Sequence, residues 1–382
     1  MSLSVPALLR WSALIASLVI PPALYADAMQ TTHTGAKQKH GKKKPSPAAD
    51  AQSDDEFANF GQWREVGLFI DDMVARNGFD RTELNKVFSK VRYVDSAITL
   101  MKPAPAGRPK NWTAYRLRFV EPVRINAGMQ FWNKYEGELT RAEIEYGVPA
   151  EIIVAILGVE TMYGSNTGNF RVMDAITTLA FDYPATPNRE ARMQFFRGEL
   201  ENTLLFARES HIDPFSLLGS YAGAIGLPQF MPSSIRQYAV DFDGRGKIDL
   251  LNSPVDAIGS VAHFLSEHGW RRGLPLVYPV KPPVDENAAQ TWQPLVNKGL
   301  EATYSLADIK AAGITPMDDP SAMPDAASDM KYGLIDLQNA NGPTEYWLAS
   351  DNFFAITKYN RSYFYAMSVI DLSQAIRTAR EQ

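Results

Sequence analysis

The stretch Pro149–Gly164, PAEIIVAILGVETMYG, constrains this chain more than any other. Proline at its start fits the first helical position, where a missing N–H costs nothing. Glycine at its end fits the residue that closes a helix in a left-handed conformation. Between them, apolar residues recur at spacings of three and four, which predicts a helix. One residue breaks the pattern. Glu160 has Leu157 and Ile156 three and four positions before it, and Ile153 seven before it. It therefore points along an apolar face. It also lies in the last turn, where the helix dipole is negative. Burial and the dipole both disfavour an ionised carboxylate. A glutamate so placed is expected to hold its proton at neutral pH, as a general acid must. The competing reading is a carboxylate that reaches the surface, or one that pairs with an arginine such as Arg171.

The rest of the chain narrows the classes of function. Its 382 residues are 45% hydrophobic and 11% aromatic, enough for one large folded domain or two. There is no cysteine, which excludes disulfides, thiol catalysis, cysteine zinc sites and a cysteine-linked lipid anchor. The five histidines show no HExxH, and neither a P-loop nor a GxSxG element is present. The net charge is −5, while residues 29–49 alone carry five lysines and no acid. Residues 1–28 cancel, so the part from Asp50 onward carries −10. A body this acidic is not expected to grip nucleic acid by charge.

The first 28 residues have the layout of a signal peptide. Arg10 precedes an apolar run from Trp11, and small residues follow near Ala26 and Ala28. The run is short for a membrane span, which needs about 20 residues. An uncleaved N-terminal anchor is the alternative. Residues 29–56, rich in Lys, Pro, Ala and Ser, read as a disordered linker. From Phe57 to Trp270 the pattern is mainly helical. Residues 271–345 shift to proline-rich turns and short strand-like pieces, a small mixed α/β insertion. The segment TEYWLASDNFFAITKYNRSYFYAMSVIDLSQAI reads as aromatic-rich strand or loop and a closing helix.

A second stretch, GSYAGAIGLPQFMPSSIRQY, places Gly219, Gly223 and Gly226 within eight positions. Glycines this dense allow backbone to approach another surface closely. Pro232 can open a helix over SSIRQY. Ser220 and Gln229 are polar groups set among small and apolar ones.

GVETMYG, GSYAGAIGLPQFMPSS, DFDGRGKIDLLNSPVDAIGSVAHFL and FFAITKYNRSYFYAMSV, in that order and spacing, resemble the membrane-bound lytic murein transglycosylase B family. The resemblance covers about residues 57–380. GLPQFMP is also similar to the GLMQ-type element of other lysozyme-like transglycosylases. The resemblance implies a mainly α, lysozyme-like catalytic domain spanning 57–382. It implies an exported enzyme of the periplasm that cleaves the β-1,4 bond between N-acetylmuramic acid and N-acetylglucosamine in peptidoglycan, leaving 1,6-anhydro ends. Peptidoglycan strands would be the main partner, with cell-wall synthesis enzymes as candidate protein partners, and no cofactor would be required. A water-using muramidase and a non-catalytic wall-binding protein are the alternatives.

By the same resemblance Glu160 matches the catalytic acid. Ser220, Gln229, Tyr359, Asn360 and Tyr365 match substrate-contacting positions, with Asn360 orienting the acetamido group. Tyr115 matches a tyrosine of the sugar groove. Arg192 would meet a carboxylate of the peptide or lactyl group. Phe195 and Phe264 stand where a relative has tyrosines, so the stacking face is kept and the hydroxyl lost. Residues 241–256, DFDGRGKIDLLNSPVD, resemble an EF-hand-like calcium loop. Asp241 and Asp243 fit positions 1 and 3, Gly246 the turn, Ile248 position 8, and Asp256 would close the site. Arg245 stands at position 5, where an oxygen ligand belongs. The loop is therefore expected either to hold structural calcium or to go without metal, with Arg245 bridging Asp241 and Asp243.

Overall fold

The computed structural model describes residues 59–103, 107, 109–317, 329–340 and 342–382. The leader (1–28) and linker (29–56) read from the sequence lie outside the described residues.

The helix read from PAEIIVAILGVETMYG spans Ala150–Thr161, and ten of its twelve residues are buried. Four helices pack around it: Pro122–Lys134, Glu136–Tyr146, Pro254–Glu267 and the closing helix Tyr363–Arg380. A helix so enclosed must be apolar on nearly every face, as this one is. Both ends depart from expectation by a residue or two. Pro149 is the cap, not the first helical residue, and the Glu143 carboxylate accepts the Ala150 N–H at 3.0 Å. At the far end Met162 takes the left-handed position expected of Gly164. Met162 (φ 51°), Tyr163 (φ 58°) and Gly164 (φ 92°) are left-handed in succession. The reversal turns the Tyr163 side chain back over Gly128 and Gly158, where any Cβ would strike its phenol.

The chain then forms β1 (Phe170–Arg171), which pairs antiparallel with β2 (Leu218–Gly219). This small ribbon lays the loop after the central helix against the glycine-rich segment. Gly168 makes it possible, because a Cβ there would meet the Gly219 carbonyl. Between the two strands run Val172–Phe181 and the long helix Arg189–Glu209. The helix expected over SSIRQY forms as Pro232–Tyr238, with proline at its first position. Its start is also held from the long helix: buried Glu199 accepts the Ser233 N–H at 2.9 Å and the Ser233 hydroxyl at 2.7 Å.

The mixed region holds a five-stranded antiparallel sheet. Its strands are β3 (Val277–Lys281), β4 (Tyr304–Ser305), β5 (Thr315–Pro316), β6 (Lys331–Leu337) and β7 (Glu345–Ala349), in spatial order β4-β6-β7-β3-β5. It encloses a second core that includes Trp292, Ile309, Tyr332 and Leu348. After β7 the chain does not continue as strand or loop. Ser350 caps a helix over Asp351–Tyr359 by accepting the Asn352 N–H at 3.2 Å. Asn360 ends that helix, and Ser362 caps the closing helix two residues later.

Candidate active site

Glu160 occupies the last turn of the central helix, and the closing helix faces it. The Tyr365 hydroxyl donates to Glu160 Oε1 at 2.5 Å. Two forces act on the carboxyl in opposite directions. Burial raises its pKa, and the Tyr365 hydrogen bond lowers it by favouring the ionised form. Burial is the larger, so the pKa rises from 4.5 to about 7. Tyr365 in turn is held neutral by its own burial and by the adjacent carboxylate.

The ion-pair alternative for Glu160 does not hold. Arg171 is bound in a fork to Asp174, at 2.6 and 2.8 Å. Asp182 accepts from the Tyr93 hydroxyl at 2.6 Å and from Arg189 at 3.1 Å. Among the described residues, no second carboxylate influences the titration of Glu160.

The predicted aromatic residues fall into two groups. Tyr359 lies beside Tyr365, its ring nearly parallel at 6.4 Å, and its hydroxyl donates to the Pro228 carbonyl. Tyr115 is buried against Phe364 and Phe119, close enough to Glu160 that the carboxylate charge disfavours its ionisation. The Tyr115 hydroxyl and the Asn360 side-chain oxygen are both buried without a hydrogen-bond partner among the described residues. Buried polar atoms are rarely left so, and both atoms are suited to hydrogen-bond a ligand. Phe264 sits behind this group. It is 5% exposed and packed by Tyr359 at 4.9 Å, Phe230 at 5.5 Å and His268 at 4.0 Å. Its position is that of a support for Tyr359.

Gln229 adopts a left-handed conformation (φ 52°), and its amide nitrogen donates to the Gly226 carbonyl at 2.8 Å and the Thr167 carbonyl at 3.1 Å. It thereby ties the glycine-rich segment to the loop after Glu160. The Ser220 hydroxyl accepts the Ala224 N–H at 3.0 Å and retains its own proton to donate. Arg192 and Phe195 belong to the long helix. Arg192 acts electrostatically on Tyr183, which acts on Tyr221 beside Ser220. Arg192 has no carboxylate partner among the described residues. Phe195 packs edge-on against Phe196, with ring centroids 5.3 Å apart.

The acidic loop brings Asp241, Asp243 and Asp256 together, their carboxylate oxygens within 4.8 Å of one another. Asp256 accepts the N–H groups of Phe242, Asp243 and Asp249. Asp241 accepts those of Arg245 and Gly246. Asp243 accepts from Ser253 at 2.8 Å and pairs with the Arg245 guanidinium at 3.2 Å. The expected bridge is therefore half made: Arg245 reaches Asp243 with its side chain and Asp241 only with its backbone. Three carboxylates fit a calcium ion, but a cation at position 5 does not. The set as a whole fits calcium poorly.

A glutamate whose pKa is raised to about 7, at the end of a buried helix and beside tyrosines, has the character that a lysozyme-like acid catalyst requires. The chain belongs to the transglycosylase SLT domain family, whose profile matches residues 61–374. It is 42% identical over 325 residues to membrane-bound lytic murein transglycosylase B of Escherichia coli, covering 82% of this chain and 83% of that protein. The crystal structure of soluble lytic transglycosylase SltB1 from Pseudomonas aeruginosa is 46% identical, with a TM-score of 0.73 over 83% of this chain and all of that one. The Escherichia coli lytic transglycosylase Slt35, solved in complex with calcium, is 41% identical, with a TM-score of 0.72 over 85% of this chain and 96% of that one.

Sequence reasoning missed three residues that shape the site: Arg124, Tyr163 and Glu199. Each acts through contacts far apart in the chain. The only local signal was the pair Gly128 and Gly158, whose shared neighbour is Tyr163.

Proposed function

We propose that this chain is an exported lytic murein transglycosylase of wall turnover and remodelling. It cleaves the bond between N-acetylmuramic acid and N-acetylglucosamine without water and leaves 1,6-anhydro ends. The observation that carries the reading is the single carboxylate. Glycosidases that use water ordinarily need two, one acid and one nucleophile or base. Here one group serves twice. Protonated Glu160 gives its proton to the leaving oxygen. The substrate's own acetamido group shields the anomeric carbon, oriented by Asn360. Ionised Glu160 then takes the proton of the C6 hydroxyl as that oxygen closes the anhydro ring. A pKa of about 7 suits both transfers. Tyr365 steadies the ionised form between them. Tyr115, Ser220 and Gln229 hold the sugars, and Arg192 and Phe195 hold the flanking peptide-bearing unit.

Mass spectrometry of sacculi digested by the mature chain tests this. Anhydro-muropeptides are the expected product. Reducing ends would mean a hydrolase, and binding without product would mean a wall-binding protein.

The pH dependence follows from the same group. The first step needs the acid form, so kcat/KM is expected to fall as pH rises through about 7. Tyr365→Phe removes the bond that lowers the Glu160 pKa. Its descending limb is expected to move to higher pH, which a pH–rate profile reads directly.

The signal-peptide layout of residues 1–28 and the tether-like composition of residues 29–56 support a periplasmic location for this activity, on peptidoglycan strands, where wall synthesis enzymes are the protein partners such a role predicts. Among the described residues no helix is long and apolar enough to cross a membrane.

Arg245 is proposed to take the place of the ion in the acidic loop. Millimolar calcium or a chelator is then expected to shift the melting midpoint by less than about 1 °C, and Arg245→Ser to make that midpoint calcium-dependent. A calcium-dependent midpoint in the unaltered chain would contradict the assignment.

A further inference from the structure

The end of the helix that carries Glu160 is clamped from outside. Arg124 lies in the first turn of Pro122–Lys134 and is 9% exposed. Its Nε donates to the Gly158 carbonyl at 3.1 Å, and its Nη1 donates to the Arg118 carbonyl. Glu121 is the nearby carboxylate, at 3.8 Å. Gly158 stands two residues before Glu160, and its carbonyl, which also accepts the Met162 N–H at 3.2 Å, lies in the last turn of the helix. A buried cation with a rigid fork of donors suits that place, since it meets the carbonyl and opposes the negative end of the dipole.

The residues just after Glu160 are held by the same helix. Met162 and Tyr163 are non-glycine residues in the left-handed region, a state that persists only where surroundings enforce it. The Tyr163 ring lies between Gly128 and Gly158 and stacks on Phe131 at 5.3 Å, the planes inclined by 29°. Its hydroxyl donates to the Arg124 carbonyl at 3.3 Å. Arg124 thus grips the chain before Glu160 with its side chain and the chain after it with its backbone.

We propose that Arg124 is a positioning residue for Glu160, fixing the final helical turn so that the carboxyl stays within reach of Tyr365 and of the substrate oxygen. This deepens the functional reading above and rests on it. Arg124 acts through the backbone and Tyr163, without touching the carboxyl. The titratable groups around Glu160 are Tyr365, Tyr115 and Tyr359, and those around Arg124 are Glu121 and Tyr163. Loosening the turn should therefore act mainly on the Tyr365–Glu160 bond.

The test compares the full mature chain with Arg124→Gln and Arg124→Lys on soluble, uncross-linked peptidoglycan. It reads kcat, KM, the pH profile and the melting midpoint. For Arg124→Gln, kcat is expected to fall about 10- to 100-fold with KM within about twofold, because small misplacement of a catalytic group costs rate more than binding. The descending pH limb should move upward as the Tyr365 bond weakens. Arg124→Lys keeps the charge but lacks the fork, so its kcat should lie between the two. If the glutamine variant does not fold, the lysine variant alone must show the lowered kcat and the shifted limb. A lower melting midpoint with unchanged kcat and limb would reduce Arg124 to a structural residue and overturn the inference. An active Glu160→Gln control would overturn the functional reading itself.

Discussion

Glu160→Gln is expected to lower product formation by roughly 10³-fold or more, with sacculus binding intact. General acid or base assistance is worth about 10²- to 10⁴-fold, and the proposed mechanism asks both of this residue. Glutamine keeps the shape and can still accept from Tyr365, so the loss isolates the proton. The same substitution is expected to stabilise the fold at alkaline pH. The folded pKa of Glu160 is raised above its unfolded value. Between pH 4.5 and about 7 the folded state therefore binds more protons than the unfolded one, and stability falls as pH rises through that window. Glutamine removes this loss. The gain at pH 8 should be about 1–3 kcal/mol, reduced from the full shift because the side chain is only partly buried. Below pH 4 the two proteins should melt alike. Thermal melts at both pH values, beside initial rates, measure the two effects together. Equal activity in the mutant would remove Glu160 from the chemistry.

Gly168→Ala is expected to cost about 3 kcal/mol and lower the melting midpoint by roughly 5 °C. Two penalties add. Gly168 has φ 87°, a conformation L side chains rarely adopt, and a Cβ there would strike the Gly219 carbonyl. The obstacle is backbone, which cannot swing aside as a side chain can. Relief requires β1 to part from β2, and with it the contact between the loop after Glu160 and the glycine-rich segment. Gln229 donates to Thr167, one residue before Gly168, so its hold should weaken too. Calorimetry with activity per folded molecule checks both. Gly244→Ala serves as the control, since its φ is 73° but nothing lies within 4 Å of its Cβ. It should cost only the conformational part, about 1 kcal/mol.

The helix carrying Glu160 was legible because its pattern is strong and its breach is single. The proton-holding glutamate followed from position alone. The cap was misplaced by two residues because Tyr163, not local propensity, decides where the chain reverses. Asp351–Tyr359 read as strand or loop because Phe353, Phe354, Ile356 and Thr357 favour strands, while its serine cap is a weak signal beside them. Phe264 drew attention as a sugar-facing ring, yet what it meets is Tyr359, which no spacing reveals. Arg124 left no mark at all, since a buried arginine looks like any other until its carbonyl partners are known. Patterns within one element survive in sequence. Contacts between elements distant in the chain do not.

The central claim is that one carboxylate does the work of two because water is not the nucleophile. Digestion of sacculi in water enriched in oxygen-18 tests it most directly. The account predicts new glycan ends that carry no label and have the mass of the anhydro sugar. Ends heavier by one oxygen-18, with a free reducing group, would show that water attacks and that a second base was missed.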